Sequence, residues 1–240
     1  MEVKLIAMTP QPEKVMWTAA RTCYSSSSPI YLFNEGVTSE ECWKLISKVL
    51  GSGHNSVAEH VSFTFAIQGV SKSCSHQLVR HRHCTFSQKS QRYVEIKENH
   101  GELFDLISGF PTDEKIAKMK EIAEKYFVDV TDNNYYGYIH DLFVYTSRIA
   151  NGEKAEDARN SLPGATKTDI VMTTNLRNLM HMCELRLCSR AQLEIRQLFK
   201  AIVREVKTEN VEIGKLLMAQ CERLGYCPEH KSCGRMPVRG

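Results

Sequence analysis

The clearest chemistry in the chain belongs to a short cationic and polar stretch at residues 80–93, which reads RHRHCTFSQKSQRY. An arginine is seldom buried without a partner, because removing an ion from water costs roughly several kcal/mol. Such a cluster needs anions, and the planar guanidinium can donate two parallel hydrogen bonds to phosphate. The stretch therefore predicts a surface that holds a phosphorylated ligand. A solvated basic loop and a nucleic-acid patch are the alternatives that composition alone leaves open.

The overall composition describes an ordinary soluble globular protein. The chain has 240 residues, of which 42% are hydrophobic and 25% charged, so it can bury one large core or two small ones. The net charge is only +3, which makes the basic character local and argues against general binding to nucleic acid or membranes. No apolar run has membrane-spanning length, and the N-terminal residues lack the features of a secretion signal. We expect a cytoplasmic protein.

Cysteine usage points to a reducing compartment. The nine cysteines are an odd number without a secretory signal, which favours mostly free thiols. Cys221, Cys227 and Cys233 cluster with His230 near the C-terminal end. Zinc, a redox disulfide and free thiols in a structured tail are all open for this cluster. The usual C-x-x-C pair of zinc sites is missing, and we assign no metal ligand.

Hydrophobic spacing and capping residues outline the elements that position the basic stretch. Thr38 and Glu41 form a capping box that opens a helix, and Gly51 to Gly53 end it. Alternating apolar residues from Val61 to Ile67 predict a strand with one buried face. Other elements predicted before the stretch are a strand over Val3–Met8, a helix from Pro12 to about Tyr24, and a helix over Lys72–Arg80 capped by Ser71.

The pattern after the basic stretch is mainly helical. It predicts a strand over Tyr93–Ile96 and helices from Thr112 to about Phe127, over Tyr135–Ala150, over Glu153–Arg159 and from Thr173 to about Lys207. The basic stretch would then be a loop between a helix and a strand, a common location for a binding site. No repeat and no clear domain boundary is visible.

A second polar turn, at residues 54–60, contains His54, Glu59 and His60. These side chains invite a metal interpretation, but their spacing matches no usual zinc motif. A turn with a buried, hydrogen-bonded histidine and a turn that lines a ligand site are the alternatives.

Arg80-His81-Arg82, followed after seven residues by Ser90, resembles the signature of the flavin-dependent thymidylate synthases. Supporting blocks follow in the family's order along nearly the whole chain: HNSVAEH at 54–60, Arg159 with Leu162-Pro163, residues 175–186, and AQLEIR at 191–196. The resemblance implies an α+β fold, a single mixed domain with a small antiparallel-type sheet and several long helices. That domain would cover residues 1–220, before a cysteine-containing tail at 221–240. The resemblance also implies a homotetramer whose subunits share active sites.

The activity that the resemblance implies is reductive methylation of dUMP to dTMP. Methylenetetrahydrofolate supplies the carbon, NADPH supplies electrons, and bound FAD passes them on; no nucleic-acid or membrane partner is implied. By the same resemblance, FAD is held by His54, Ser56, Arg80, His81, Arg82, Gln88, Asn175, Leu176, Arg177 and His181. The residues implied for dUMP are Gln77, Arg80, Gln88, Lys89, Ser90, Gln91, Arg92, Arg159 and Arg186.

Arg186 is the residue that the resemblance makes catalytic. Uracil is a poor nucleophile at C5 while its ring is neutral, and a fixed guanidinium favours the form ionised at N3. An arginine cannot itself act as the base near neutral pH, because its pKa exceeds about 12. The proton therefore leaves to water or to another group.

Two other side chains and two rival functions stay open. Ser90 is either a nucleophile, which needs an activating base, or a dUMP ligand, and Cys84 is either a thiolate or a packing residue. A nucleic-acid-binding module would use Arg80 and Arg82 on phosphates with Phe86 and Tyr93 stacked on bases, but leaves the blocks at 159 and 175–186 unexplained. A flavoprotein acting on another nucleotide would lack Arg186 or Ser90, and both are present.

Overall fold

The structure, a computed structural model, describes residues 1–238 and shows an α+β fold with a four-stranded antiparallel sheet. The strands are β1 (Glu2–Met8), β2 (Ser62–Ser71), β3 (Cys84–Gln88) and β4 (Lys167–Asn175), in the order β1-β2-β4-β3. Phe63, Phe65 and Ile67 of β2 are buried, as their alternation predicts. The Thr64 and Thr173 hydroxyls join β2 to β4 over 3.0 Å.

Helices supply most of the remaining regular structure. They are α1 (Pro12–Thr22), α2 (Pro29–Asn34), α3 (Ser39–Gly51), α4 (Lys72–Leu78), α5 (His100–Ile107), α6 (Asp113–Tyr126), α7 (Tyr135–Ala150), α8 (Ala155–Ala158), α9 (Leu176–Arg186), α10 (Leu193–Glu209), α11 (Val211–Leu216) and α12 (Gln220–Leu224). Two 3-10 helices cover Asn55–His60 and Arg159–Ser161. Within residues 1–238, no helix combines the length and apolar character that a membrane crossing requires.

The chain folds into two units, and the first unit comprises Met1, Gln68–Leu78 and Ser87–Ile170. Helices α5, α6 and α7 pack around its core, which includes Met119, Phe127 and Tyr145. The rings of Phe127 and Tyr138 stack with centroids 4.7 Å apart. Burial of an aromatic side chain of this size contributes roughly 1.5–3 kcal/mol to the stability of the unit.

The second unit comprises Glu2–Ile67, Val79–Phe86 and the residues from Val171 onward. Helix α1 packs on α3, and α10 packs on β1 and α11. Helix α10 buries one apolar face, because its residues Ile195, Leu198, Phe199, Ile202 and Val206 follow the helical period. The 3-10 helix Asn55–His60 contacts both α1 and α9. This packing brings the polar turn at 54–60 to the start of α9.

Several predicted elements are confirmed together with their caps. The Thr38 hydroxyl accepts from the Glu41 N–H at 3.3 Å, and the Glu41 carboxylate accepts from the Thr38 N–H at 2.9 Å. Such caps stabilise a helix by about 1 kcal/mol. Ser71 caps α4 by accepting from the Cys74 N–H at 2.8 Å. The predicted elements at β1, α1, α6 and α7 also form close to their expected bounds.

The single long helix predicted from Thr173 to about Lys207 is wrong. Strand β4 runs to Asn175, α9 ends at Arg186, and α10 begins only at Leu193. The Gln192 side chain caps α10 by accepting from the Ile195 N–H at 3.2 Å. Residues 168, 170, 172 and 174 alternate as buried positions of β4, a period-two signal that the longer helical pattern obscured.

The strand predicted over Tyr93–Ile96 is also wrong. The N–H groups of Tyr93 and Val94 both donate to the Ser90 carbonyl, which makes a turn, and Tyr93 is 78% exposed. The strand of this region is β3, so part of the basic stretch is extended structure rather than loop. Helices α2 and α5 were not predicted, and the predicted helix over Glu153–Arg159 is the shorter α8 followed by a 3-10 turn.

Candidate active site

The turn between Val79 and His83 separates its histidine at position 81 from the flanking cations. His81 is buried, while Arg80, Arg82 and His83 are exposed. The His81 ring lies against Phe199 of α10, with ring centroids 6.3 Å apart. The buried His81 ring therefore holds the turn in place, and the exposed Arg80 and Arg82 side chains are accessible to a ligand.

His81 and Arg186 are joined directly. Arg186 Nε donates to His81 Nε2 at 3.0 Å, so that ring nitrogen carries no proton. Burial, and then the charges of Arg186 and His181, lower the pKa of His81 to about 4. At neutral pH the pair thus holds one positive charge, on a guanidinium fixed at the C-terminal end of α9.

Two asparagines at the start of α9 organise the turn that precedes β3. Asn175 caps α9 by accepting from the Asn178 N–H at 2.9 Å. The buried Asn178 amide donates to the His83 carbonyl at 3.2 Å and to the Thr174 hydroxyl at 2.9 Å. A hydrogen bond of this kind contributes about 0.5–1.5 kcal/mol to stability. Asn178 therefore fixes the backbone of the basic turn against α9.

A cavity of about 1030 Å³ opens beside the start of α9, within the second unit. Its polar lining includes Glu59, His83, Asn175, Arg177 and His181, and its apolar wall comes from Trp43, Ile46, Leu50 and Met180. Ligand pockets usually measure about 300–1,000 Å³, so this cavity suits a large ligand. A cation, amide groups and an apolar wall suit the phosphates, ribityl chain and ring system of the FAD that the resemblance implies.

Arg177 is held at this cavity by an ion pair with Glu59. Both side chains are about half exposed, and an exposed ion pair contributes no more than about 1 kcal/mol. Since so little is lost when the pair opens, the guanidinium is available to a phosphate. The 3-10 helix Asn55–His60 contributes Glu59, which belongs to the turn at 54–60 that the sequence indicated as a possible lining of a ligand site.

The structure brings together only part of the residues expected at the flavin. Asn175, Arg177 and His181 line the cavity, whereas Leu176 is fully buried and its N–H donates to the Val61 carbonyl at 2.7 Å. His54 and Ser56 are exposed on either side of Asn55, which lines the cavity. The remaining expected flavin residues, Arg80, His81, Arg82 and Gln88, are not among the side chains that line it.

The first unit contains a separate cluster of cations. Arg92 donates from Nε and Nη2 to one Glu156 oxygen at 3.1 and 2.9 Å, and Arg159 Nε donates to the Glu156 carbonyl at 3.0 Å. Burial, and then the charge of Arg159, lower the pKa of Lys72. The cluster therefore has an excess of positive charge around a single carboxylate, which suits a phosphate group. Sequence patterns gave no signal for Lys72 or Glu156.

The other residues expected at dUMP lie around the end of β3. Gln88 Nε2 donates to the Ser75 hydroxyl at 2.9 Å, and Lys89 pairs with Asp169 at 3.3 Å. The Ser90 hydroxyl accepts from the Arg92 N–H at 3.2 Å, so it caps a turn. Gln77 of α4 and Gln91 are half-buried.

One alternative from the sequence, a reactive Cys84 thiolate, loses support. Burial raises the pKa of the Cys84 thiol, and that thiol accepts from the Asn178 amide at 3.0 Å, as expected of a packing residue rather than a thiolate nucleophile. Over the part of the chain that the structure describes, no group of three or more His, Cys, Asp or Glu side chains is arranged to hold a metal ion.

Comparison with known proteins identifies the family of this chain and agrees with its fold. The family described as Thymidylate synthase complementing protein matches residues 4–210. The flavin-dependent thymidylate synthase of Nitratidesulfovibrio vulgaris is 41% identical over 245 residues, which cover 99% of this chain and 96% of that protein. Its counterpart in Geobacter sulfurreducens is 37% identical over 241 residues, or 98% of this chain and 94% of that protein. The chain belongs to the flavin-dependent thymidylate synthase family.

A crystal structure of thymidylate synthase X from Helicobacter pylori with FAD and dUMP shares the fold. Its TM-score is 0.69 at 24% identity, over 90% of this chain and 99% of that chain.

Proposed function

We propose that this chain catalyses the reductive methylation of dUMP to dTMP, with methylenetetrahydrofolate as carbon donor, NADPH as reductant and FAD as cofactor. The proposal rests on one observation: the two ends of α9 both contribute residues to the candidate site. Its first turns line a cavity of flavin size, and its last residue, Arg186, is a cation fixed by His81. Family membership supports the same reaction.

Within this proposal, Asn175, Arg177 and His181 hold FAD at the cavity. His54, Ser56, Arg80, His81, Arg82, Leu176 and Gln88 complete the proposed set. When bound, FAD supplies the two-electron chemistry that takes reducing equivalents from NADPH. Arg177 leaves Glu59 for a phosphate of the cofactor, and Trp43 and Leu50 exclude water from the apolar wall.

The phosphate of dUMP goes to the cation cluster around Glu156, through Arg92 and Arg159. Gln77, Arg80, Gln88, Lys89, Ser90 and Gln91 complete the proposed dUMP set together with Arg186. We propose that these residues come from more than one copy of the chain, in a homotetramer with shared active sites, and that the enzyme works in the cytoplasm.

Arg186 acts on the uracil ring by charge. Its guanidinium favours the ring ionised at N3, which raises electron density at C5. A neutral His81 matters here, because a protonated imidazole would repel Arg186 and could not accept its hydrogen bond. The N3 proton leaves to water or to another group, since Arg186 stays protonated.

Product analysis tests the proposal. The purified chain is incubated with dUMP, methylenetetrahydrofolate, NADPH and FAD, and dTMP is measured by mass spectrometry, with each component omitted in turn. We expect dTMP only in the complete mixture, and formation about 10²- to 10³-fold slower with Arg186→Gln. Failure to form dTMP in the complete mixture, or formation without flavin, would overturn the proposal. Light scattering of the same sample tests the tetramer.

A further inference from the structure

Four cysteines line a second cavity of about 300 Å³, within the second unit, at the C-terminal end of α9. They are Cys188, Cys221, Cys227 and Cys233, and Arg186 and Arg235 line the same cavity. Among residues 1–238 no disulfide joins any of them, and no metal-holding arrangement is present. The proposed methylation of dUMP assigns no role to these four thiols.

The fold holds the cysteine-containing tail on α9. Helix α12 packs on α9, and Arg223 of α12 pairs with Glu184 of α9 at 2.6 Å. Arg190 pairs with Glu229 at 2.8 Å, and the Cys227 N–H donates to the Pro237 carbonyl at 2.6 Å. These contacts close the tail into a loop and keep its thiols at one cavity.

Cys233 is the thiol with the surroundings of a nucleophile. It is exposed, and hydrogen bonds from the Ser189 hydroxyl and the Arg235 N–H stabilise its thiolate. These hydrogen bonds, with a smaller effect of the Arg235 charge, lower the pKa of the Cys233 thiol. A thiolate is the reactive form toward oxidants, so Cys233 should react before the other cysteines.

Cys221 lines the same cavity as Cys233, and we assign it as the thiol that reacts with an oxidised Cys233. Burial raises the pKa of Cys221, but the Arg235 guanidinium opposes that rise, as it does at Cys233. The two thiols therefore share one guanidinium. Cys188 and Cys227 are the other two thiols that line this cavity.

We propose that this cavity is a site of thiol oxidation, where a hydroperoxide oxidises Cys233 and Cys221 completes a disulfide with it. The Cys233 thiolate attacks one peroxide oxygen, the O–O bond breaks and a sulfenic acid forms; the other oxygen leaves as hydroxide and takes up the proton that the thiol released, which gives water. The Cys221 thiol then attacks that sulfur, and a second water leaves. The two thiols lose two electrons and two protons, and the peroxide gains them.

The disulfide would tie the tail across the cavity that Arg186 lines. This consequence rests on the proposed function, because it concerns the residue assigned to the uracil ring. A tail closed over that end of α9 restricts the movement of Arg186, so we expect the oxidised protein to form dTMP more slowly and a dithiol to restore the rate.

Peptide mapping tests the site without reference to activity. The reduced, full-length holoprotein is treated with hydrogen peroxide, its remaining thiols are alkylated, and peptides are identified by mass spectrometry. We expect a Cys221–Cys233 disulfide, and alkylation of Cys233 in the untreated protein about tenfold faster than that of Cys23. Cys23 is the matched control, because it is also exposed but lies in α1's C-terminal region, away from the cavity.

Variants distinguish disulfide formation from the activation of Cys233, and both from dTMP formation. Cys233→Ser should lose the disulfide and keep basal dTMP formation, and Arg235→Gln should slow the alkylation of Cys233. Equal reactivity of Cys23 and Cys233, a disulfide to a cysteine outside the cavity, or zinc bound to the purified protein would overturn the proposal. If the disulfide forms but no dTMP is made before or after oxidation, the proposed function fails and the oxidation site stands.

Discussion

Arg186 and His81 form a hydrogen-bonded pair, with 3.0 Å between Nε and Nε2, in which a permanent cation donates to a neutral imidazole. The two residues are far apart in the sequence, yet the pair fixes the end of α9 to the basic turn. The hydrogen bond therefore fixes the position of the Arg186 charge near the proposed uracil site, where an unbonded arginine side chain would be flexible.

The low pKa of His81 makes stability depend on pH. The folded-state pKa is about 4 against an ordinary value of 6.5, so the unfolded chain binds more protons between these values. The free energy of unfolding therefore decreases as pH falls from 6.5 toward 4, by up to about 3 kcal/mol. Chemical denaturation of the ligand-free protein across this range measures it, and His81→Gln should reduce the slope. An unchanged slope in the variant would contradict the assignment.

Removal of the Arg186 charge should affect the reaction rate more than binding. Because the guanidinium acts on charge that develops in the uracil ring, Arg186→Gln should lower kcat by about 10²–10³. Arg186→Lys keeps the charge but loses the planar guanidinium, and should recover only part of the rate. Steady-state kinetics and a flavin titration check this. A loss of flavin affinity that accounts for the whole decrease would count against the catalytic role.

Arg92 should set the affinity for dUMP through its phosphate. A hydrogen bond to a charged group contributes about 1.5–3 kcal/mol, so Arg92→Gln should raise the Kd for dUMP by about 10- to 100-fold. The ratio of the Kd for deoxyuridine to the Kd for dUMP measures the phosphate contribution directly, and this ratio should decrease in the variant. Lys118→Gln, an exposed change elsewhere in the first unit, is the control and should leave that ratio intact.

Arg177 should contribute to flavin binding and little to stability. Its ion pair with Glu59 is about half exposed, and the proposal transfers it to a phosphate of FAD. We expect Arg177→Gln to weaken FAD binding about tenfold while the free energy of unfolding changes by less than about 1 kcal/mol. Fluorescence titration of FAD measures the first effect. Arg204→Gln, an exposed arginine of α10, is the matched control, and equal losses in both variants would remove the special role of Arg177.

Local sequence signals predicted the caps and the strongly periodic elements well. Thr38 and Glu41 specify a helix start within four residues, and α7 has turn residues at both ends, so neither depends on tertiary context. The boundary between β4 and α9 is different. Leu176 and Leu179 continue the apolar pattern of the strand into the helix, and the two elements are separated by the pairing of β4 within the sheet and by the Asn175 cap.

Motif residues account for part of the cavity lining, and packing supplies the rest. Arg177 and His181 belong to the block at 175–186, and both reach the cavity. Trp43 and Glu156 lie outside every motif. Helix α3 places Trp43 in the cavity wall, and α8 places Glu156 where it accepts from Arg92. The neutral state of His81 depends on burial against Phe199, which no local pattern reveals.

The most direct test of the account is the visible absorbance of the purified protein, recorded before and after addition of FAD and then of dUMP. If the cavity beside α9 holds the flavin and dUMP binds next to it, the protein will show a bound-flavin spectrum that shifts when dUMP is added. Arg177→Gln should require more FAD for the same spectrum. A protein that binds no flavin, or whose flavin spectrum is unchanged at saturating dUMP, would contradict the proposal that FAD and dUMP bind in one active site.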